Sequence, residues 1–208
     1  MAYRLFLLLS LGFSLVAQNQ LSLPGFDGIN WGTPYQQVKD RFVSLAQSPT
    51  TEDKVEILQD IPEREITILR KGIVYRFVFY KKPFTAPLPQ NQLPPNTDDF
   101  AGNNNQNQAV FFFAESMFPL VSSEDLYQKL KDKYGERTNR VFQEKEQRGA
   151  YLWDFADGLL VQWIEPYQKK PYTRNLYYVS KKIREEIYRD LQQFQYQKEL
   201  KVLQDILP

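Results

Sequence analysis

The side chains best suited to chemistry in this chain are five carboxylates, Glu63, Glu65, Asp154, Asp157 and Glu165. Two such groups on opposite sides of a glycosidic bond suffice for hydrolysis. Little else is available, because the 208 residues contain no His and no Cys. The commonest general base, the commonest metal ligand and every thiol nucleophile are therefore missing. Ser180-Lys181 does not have the Ser-x-x-Lys spacing of a serine–lysine pair, and Ser180 is better placed to cap a helix. Asp98 and Asp99, with Asn96, Asn103 and Asn104, offer hard oxygen ligands, but their spacing is not that of a calcium loop. Each carboxylate also has a structural explanation: Asp157 in a turn, Asp154 and Glu165 on the solvent side of strands, Glu63 and Glu65 leading into one. The expectation is a chain without catalytic activity, metal or cofactor.

The surface feature that stands out is an aromatic and basic segment. Tyr167, Lys169, Lys170, Tyr172 and Arg174 lead on to Lys181 and Lys182, and residues 167–189 hold seven cations against two acids. Interleaved rings and cations recognise carboxylates, phosphates and sugar faces. These seven named residues are the candidate binding set, with an envelope protein or an anionic glycan as its partner. A hairpin with solvated lysines and packed tyrosines explains the same pattern.

Elements that would position this segment can be read from periodicity. Thr33-Pro34-Tyr35-Gln36 predicts a helix start, with Thr33 as cap and Pro34 in the first turn, and Val38, Phe42 and Leu45 form its apolar stripe. Strands are predicted at 55–59, 65–70 and 73–80, with Lys71-Gly72 as a hairpin turn, and a fourth at 109–114. Residues 81–108, with five prolines and an Asn/Gln tract, predict a mobile loop. A second helix is predicted from Ser122 or Ser123 to Gly135. Strands follow at 139–145, 150–155, 159–164 and 173–179, with Asp157-Gly158 as a type I′ turn that sets Trp153 against Trp163. A terminal helix over 180–207 carries Ile183, Ile187, Leu191 and Phe194 on one face. The fold class expected is α+β: tandem helix-plus-four-strand antiparallel units, 26–114 and 115–179, with a C-terminal helix, all in one domain over 18–208.

Ile29-Asn30-Trp31-Gly32-Thr33-Pro34-Tyr35-Gln36-Gln37-Val38 resembles the G-[MT]-[ST]-x-x-x-V helix start of small bacterial envelope modules. These are the SmpA/OmlA-type outer-membrane assembly lipoproteins and the tandem-repeat β-lactamase inhibitor proteins. The resemblance implies a binding protein whose sheet presents a face or a loop to a protein partner. The chain departs from these families in lacking a lipidated Cys and in lacking a glycine-led start to its second helix, Glu124 to Tyr134, so no binding residue is carried over.

Residues 1–17 read as a signal peptide: Arg4 precedes an apolar run from Leu5 to Val16, and cleavage is expected near Ala17. At twelve residues that run is short of the roughly 20 that span a bilayer. Removing residues 1–17, with Arg4, leaves 25 cations and 25 acids, a neutral mature chain without a transmembrane span and with no general attraction to nucleic acid. A Cys-free exported chain fits a bacterial periplasm or the cell exterior. The function expected is therefore that of an exported binding or structural module. A carrier of a small apolar ligand between sheet and terminal helix is the alternative, and a carboxylate hydrolase the third reading.

Overall fold

A computed structural model describes residues 21–48, 54–82 and 108–206. The signal segment, the Asn/Asp cluster at 96–104 and most of the proline-rich loop lie outside them.

The element order is β1 (Gly25–Phe26), β2 (Ile29–Asn30), α1 (Tyr35–Ala46), β3 (Glu56–Ile61), β4 (Glu65–Arg70), β5 (Ile73–Tyr80), β6 (Val110–Ser122), α2 (Ser123–Tyr134), β7 (Asn139–Gln143), β8 (Arg148–Asp154), β9 (Gly158–Tyr167), β10 (Lys170–Ser180) and α3 (Lys181–Ile206). The class is α+β. One eight-stranded sheet runs in the order β3-β4-β5-β6-β10-β9-β8-β7, with every neighbouring pair antiparallel.

Strand alternation divides the side chains between two faces. On one, α1 lays Val38 and Phe42 against Phe77, with the Phe42 and Phe77 rings 4.7 Å apart and Phe77 in turn 5.6 Å from Phe111. In the same layer α2 sets Tyr127 against Tyr151 and Trp153 at 5.4 and 6.0 Å. The core is thus a layer of aromatic rings between two helices and one sheet face.

The other face is covered at one end only. There α3 leaves β10 and returns beside β5, where the Tyr80 hydroxyl donates to Asp190 and Lys82 pairs with Glu186 at 2.9 Å. Ile183 is buried, but Leu191, expected on the same stripe, is 40% exposed. A 26-residue helix is about 39 Å long and outruns the strands beneath it.

Several local expectations need correction. Pro34, at φ −59° and ψ 143°, is the N-cap of α1 rather than its first helical residue, and the Thr33 hydroxyl donates to the Asn30 carbonyl instead of capping. The reason is that the helix start is stitched to β6: Tyr35 N–H donates to the Ala109 carbonyl and Phe111 N–H to the Thr33 carbonyl. The type I′ turn falls at the other Asp-Gly pair. Asp27 and Gly28 have φ of 53° and 70° between β1 and β2, whereas Asp157 and Gly158 lack positive φ. Asp157 instead accepts from Ser22 Oγ at 2.7 Å and Leu23 N at 2.6 Å, tying down the segment before β1. In the ladder that forms, Asp154 pairs with Leu159, Trp153 with Leu160 and Trp163 with Ala150, so the two indoles lie on opposite faces and do not pack as a cross-strand pair. Finally, β6 runs to Ser122 instead of Ala114. Pro119 is tolerated in it because the last β5 partner is Val74 opposite Met117, and no β5 ladder exists beyond that point.

Candidate functional site

The sheet face turned away from α1 and α2 is organised in rungs. One runs Thr67, Arg76, Glu115, Tyr177, Val161, Leu152 across β4, β5, β6, β10, β9 and β8. The next, farther from α3, runs Leu69, Val74, Met117, Asn175, Trp163, Ala150, Val141.

The first rung is a polar network. Arg76 Nη2 lies 2.8 Å from Glu115 Oε2, and Asn175 Nδ2 donates both to Glu115 Oε1 and, at 3.1 Å, to the Tyr177 hydroxyl. Glu65, 3.9 Å from the same guanidinium, accepts from the Thr67 hydroxyl at 3.1 Å. The guanidinium also sits 5.8 Å over Phe113, whose ring stacks on Tyr177 at 5.9 Å. Arg76 Nε is buried without a hydrogen-bond partner among the described residues. Such a network fixes the centre of the face rigidly, since each group is held by at least one other.

The second rung ends in apolar exposure. Trp163 is 43% and Val141 62% exposed, and the Trp163 indole N–H donates to Glu165 at 3.1 Å. Continuing along β9 on the same face, Tyr167 is 43% exposed and meets Tyr172 edge-on, 5.7 Å away with the rings at 90°.

The predicted binding residues are divided by β10. Gln168 and Lys169, with φ of 49° and 62°, form the two-residue turn between β9 and β10, where Lys170 pairs with Tyr167. Tyr167, Lys169, Lys170 and Tyr172 are thus brought together at one hairpin tip. Arg174 is exposed at the register irregularity between Thr173 and Asn175. Lys181 and Lys182 lie at the far end of the eleven-residue strand, roughly 30 Å from the tip. There Lys181 pairs with Asp154 and donates to the Phe155 carbonyl, while Lys182 is exposed.

The candidate carboxylates are scattered. Glu63 pairs with Lys81, Glu65 with Arg76, Asp154 with Lys181, Asp157 with the segment before β1, and Glu165 with the Trp163 indole. Among the described residues no group of three His, Cys, Asp or Glu is placed to hold a metal ion. No helix among them is long and apolar enough to cross a membrane.

A second polar cluster sits at the opposite edge. Burial works to raise the Asp60 carboxyl, but hydrogen bonds from Lys39, 2.7 Å away, and from the Tyr35 hydroxyl outweigh it and hold the group below the usual carboxylate value.

Glu115 and Asn175, which no sequence signal marks as binding residues, join the face, and with them Trp163, expected to pack against Trp153. The signal for Arg76 was legible, since it alternates with Val74 and Val78 in a strand whose other side is Tyr75 and Phe77. Glu115 carries no such signal, because it follows the apolar run that ends at Ala114.

No protein-family model matches the chain, no curated protein matches it, and no solved structure matches it.

Proposed function

We propose that this chain is an exported, non-catalytic binding module whose open sheet face, centred on Trp163 and the Tyr167–Tyr172 hairpin tip, docks an acidic surface of a protein partner. The observation that carries this reading is the pair of half-exposed rings, Trp163 and Tyr167, each 43% exposed on an uncovered face beside Lys169 and Lys170. Aromatic anchors rimmed by cations are the composition of interface centres. From β5 to β7 the face is about 24 Å wide, which with strands of 5 to 13 residues approaches the roughly 800 Å² per partner of a stable complex. A protein is favoured over an anionic glycan because perpendicular rings make a notch, while a sugar chain stacks best on coplanar ones.

The architecture is read as two tandem units. The order α1-β3-β4-β5-β6 and then α2-β7-β8-β9-β10, with β6 and β10 adjacent at the sheet centre, supports this. Export rests on the apolar run Leu5 to Val16, and the location proposed is a bacterial periplasm or the cell exterior.

The test is crosslinking capture from the native envelope with the wild-type protein, Trp163→Ala/Tyr167→Ala and Lys169→Glu/Lys170→Glu, alongside binding to anionic polysaccharides. A protein captured by the wild type, reduced at least tenfold by either double variant and weakened by salt, supports the reading. Capture indifferent to both variants, or binding to polysaccharide alone, removes it.

A further inference from the structure

A second site of different chemistry lies on the helix side of the sheet. Where the two sets of strands meet at β6 and β10, the covering helices leave a cleft of about 430 Å³, within the usual range for a small-molecule site. Its floor is Tyr75 of β5, Ser116 of β6 and Tyr178 of β10. One wall is the β1–β2 hairpin, with Phe26 4.4 Å from Tyr178 and 5.8 Å from Tyr75. The other is the end of α2, with Lys133 and Tyr134.

The cations in this cleft differ in one respect. Arg70 is committed to Asp27, its two terminal nitrogens 3.0 and 2.9 Å from the two carboxylate oxygens, and it lies 5.8 Å over the Tyr75 ring. Arg41 secures the same turn by donating to the Asp27 carbonyl at 2.8 Å. That wall is therefore rigid and electrically balanced. Lys133 is not balanced. Its ammonium lies 5.0 Å over the Tyr134 ring, and among the described residues no carboxylate pairs with it. Burial pushes the Tyr178 hydroxyl above the usual phenol value, with a hydrogen bond from Ser116 opposing, so the group in the floor of the cleft is a neutral phenol.

We infer that this cleft binds a small aromatic carboxylate, its anion paired with Lys133 and its ring laid against the cluster of Phe26, Tyr75 and Tyr178. One unpaired cation selects a single negative charge, three rings supply apolar contact, and the 430 Å³ admits a bicyclic ligand. The site is independent of the open face, which lies on the opposite side of the sheet.

The test is calorimetric titration of the purified protein with 1-naphthoate and with 1-naphthamide, which share a shape and differ in charge. The acid is expected to bind at least tenfold more tightly than the amide. Lys133→Met, an exposed position where folding is not at stake, should bring the two to equal affinity. Trp163→Ala on the other face should leave both unchanged. Equal affinities in the wild type, no binding of either at millimolar concentration, a preference that survives Lys133→Met, or loss of binding in Trp163→Ala would each overturn the inference.

Discussion

Arg76 and Glu115 face each other across the β5–β6 ladder with 2.8 Å between Nη2 and Oε2, and Glu115 is only 6% exposed. A carboxylate so enclosed depends on its partners. Replacing Arg76 by Met leaves Glu115 with Asn175 alone. The cost expected is about 2 kcal/mol, below the 3–5 typical of broken buried pairs because the Arg76 side chain is 38% exposed. Adding Glu115→Leu should restore most of it. Urea unfolding of the single and double variants checks this, and equal losses in both would contradict it.

Phe77 is the ring on which the first half of the core converges, fully buried and within 6 Å of Phe26, Phe42 and Phe111. Phe77→Ala should cost about 4 kcal/mol. Val141→Ala, at a position 62% exposed, should cost under about 0.5 kcal/mol. Thermal or urea melts distinguish the two readily.

Asp157 holds Leu23 by its backbone amide, whereas Asp27 serves a turn. Asp157→Ala should therefore release the segment before β1, read as faster hydrogen exchange at the Leu23 amide and a loss of about 1–2 kcal/mol. Gly28→Ala should cost about 1 kcal/mol for a different reason, the positive φ of 70°. Unchanged exchange at Leu23 would show that the contact does not hold the segment.

Asp60 makes stability depend on acid. Its carboxyl ionises below the ordinary value in the folded chain, so its stabilisation is present above the unfolded value of about 3.9 and is lost as pH falls through the lower folded one. Asp60→Asn should flatten the acid limb of the stability profile below about pH 4. Tyr35→Phe, which removes one of the two opposing hydrogen bonds, should raise the Asp60 midpoint in a carboxyl NMR titration.

The legibility of this chain varied with how local the determining physics was. The bounds 65–70 and 73–80 for β4 and β5 were readable because the alternation of Tyr75, Phe77 and Phe79 and the turn at Lys71-Gly72 lie within a few residues. The α2 cap was readable for the same reason, and Ser122 does accept from Asp125 N. What failed was decided at long range. Asp157-Gly158 and Asp27-Gly28 are identical dipeptides, and only contact with Ser22 and Leu23, more than 130 residues away, sets the first apart. Trp163, the residue on which the open face turns, pairs with Ala150 and lies on the face opposite Trp153. The basic segment was contiguous in sequence, but a strand roughly 30 Å long put its two ends apart.

The open face is tested most directly by site-specific photocrosslinking in the producing cell, with benzoylphenylalanine placed at Trp163, at Tyr167 and, as control on the helix side, at the exposed Lys129 of α2. The expected result is one discrete protein adduct of the same mass from the first two positions and none from the third. No adduct at Trp163 and Tyr167, or equal adducts at all three, would contradict it.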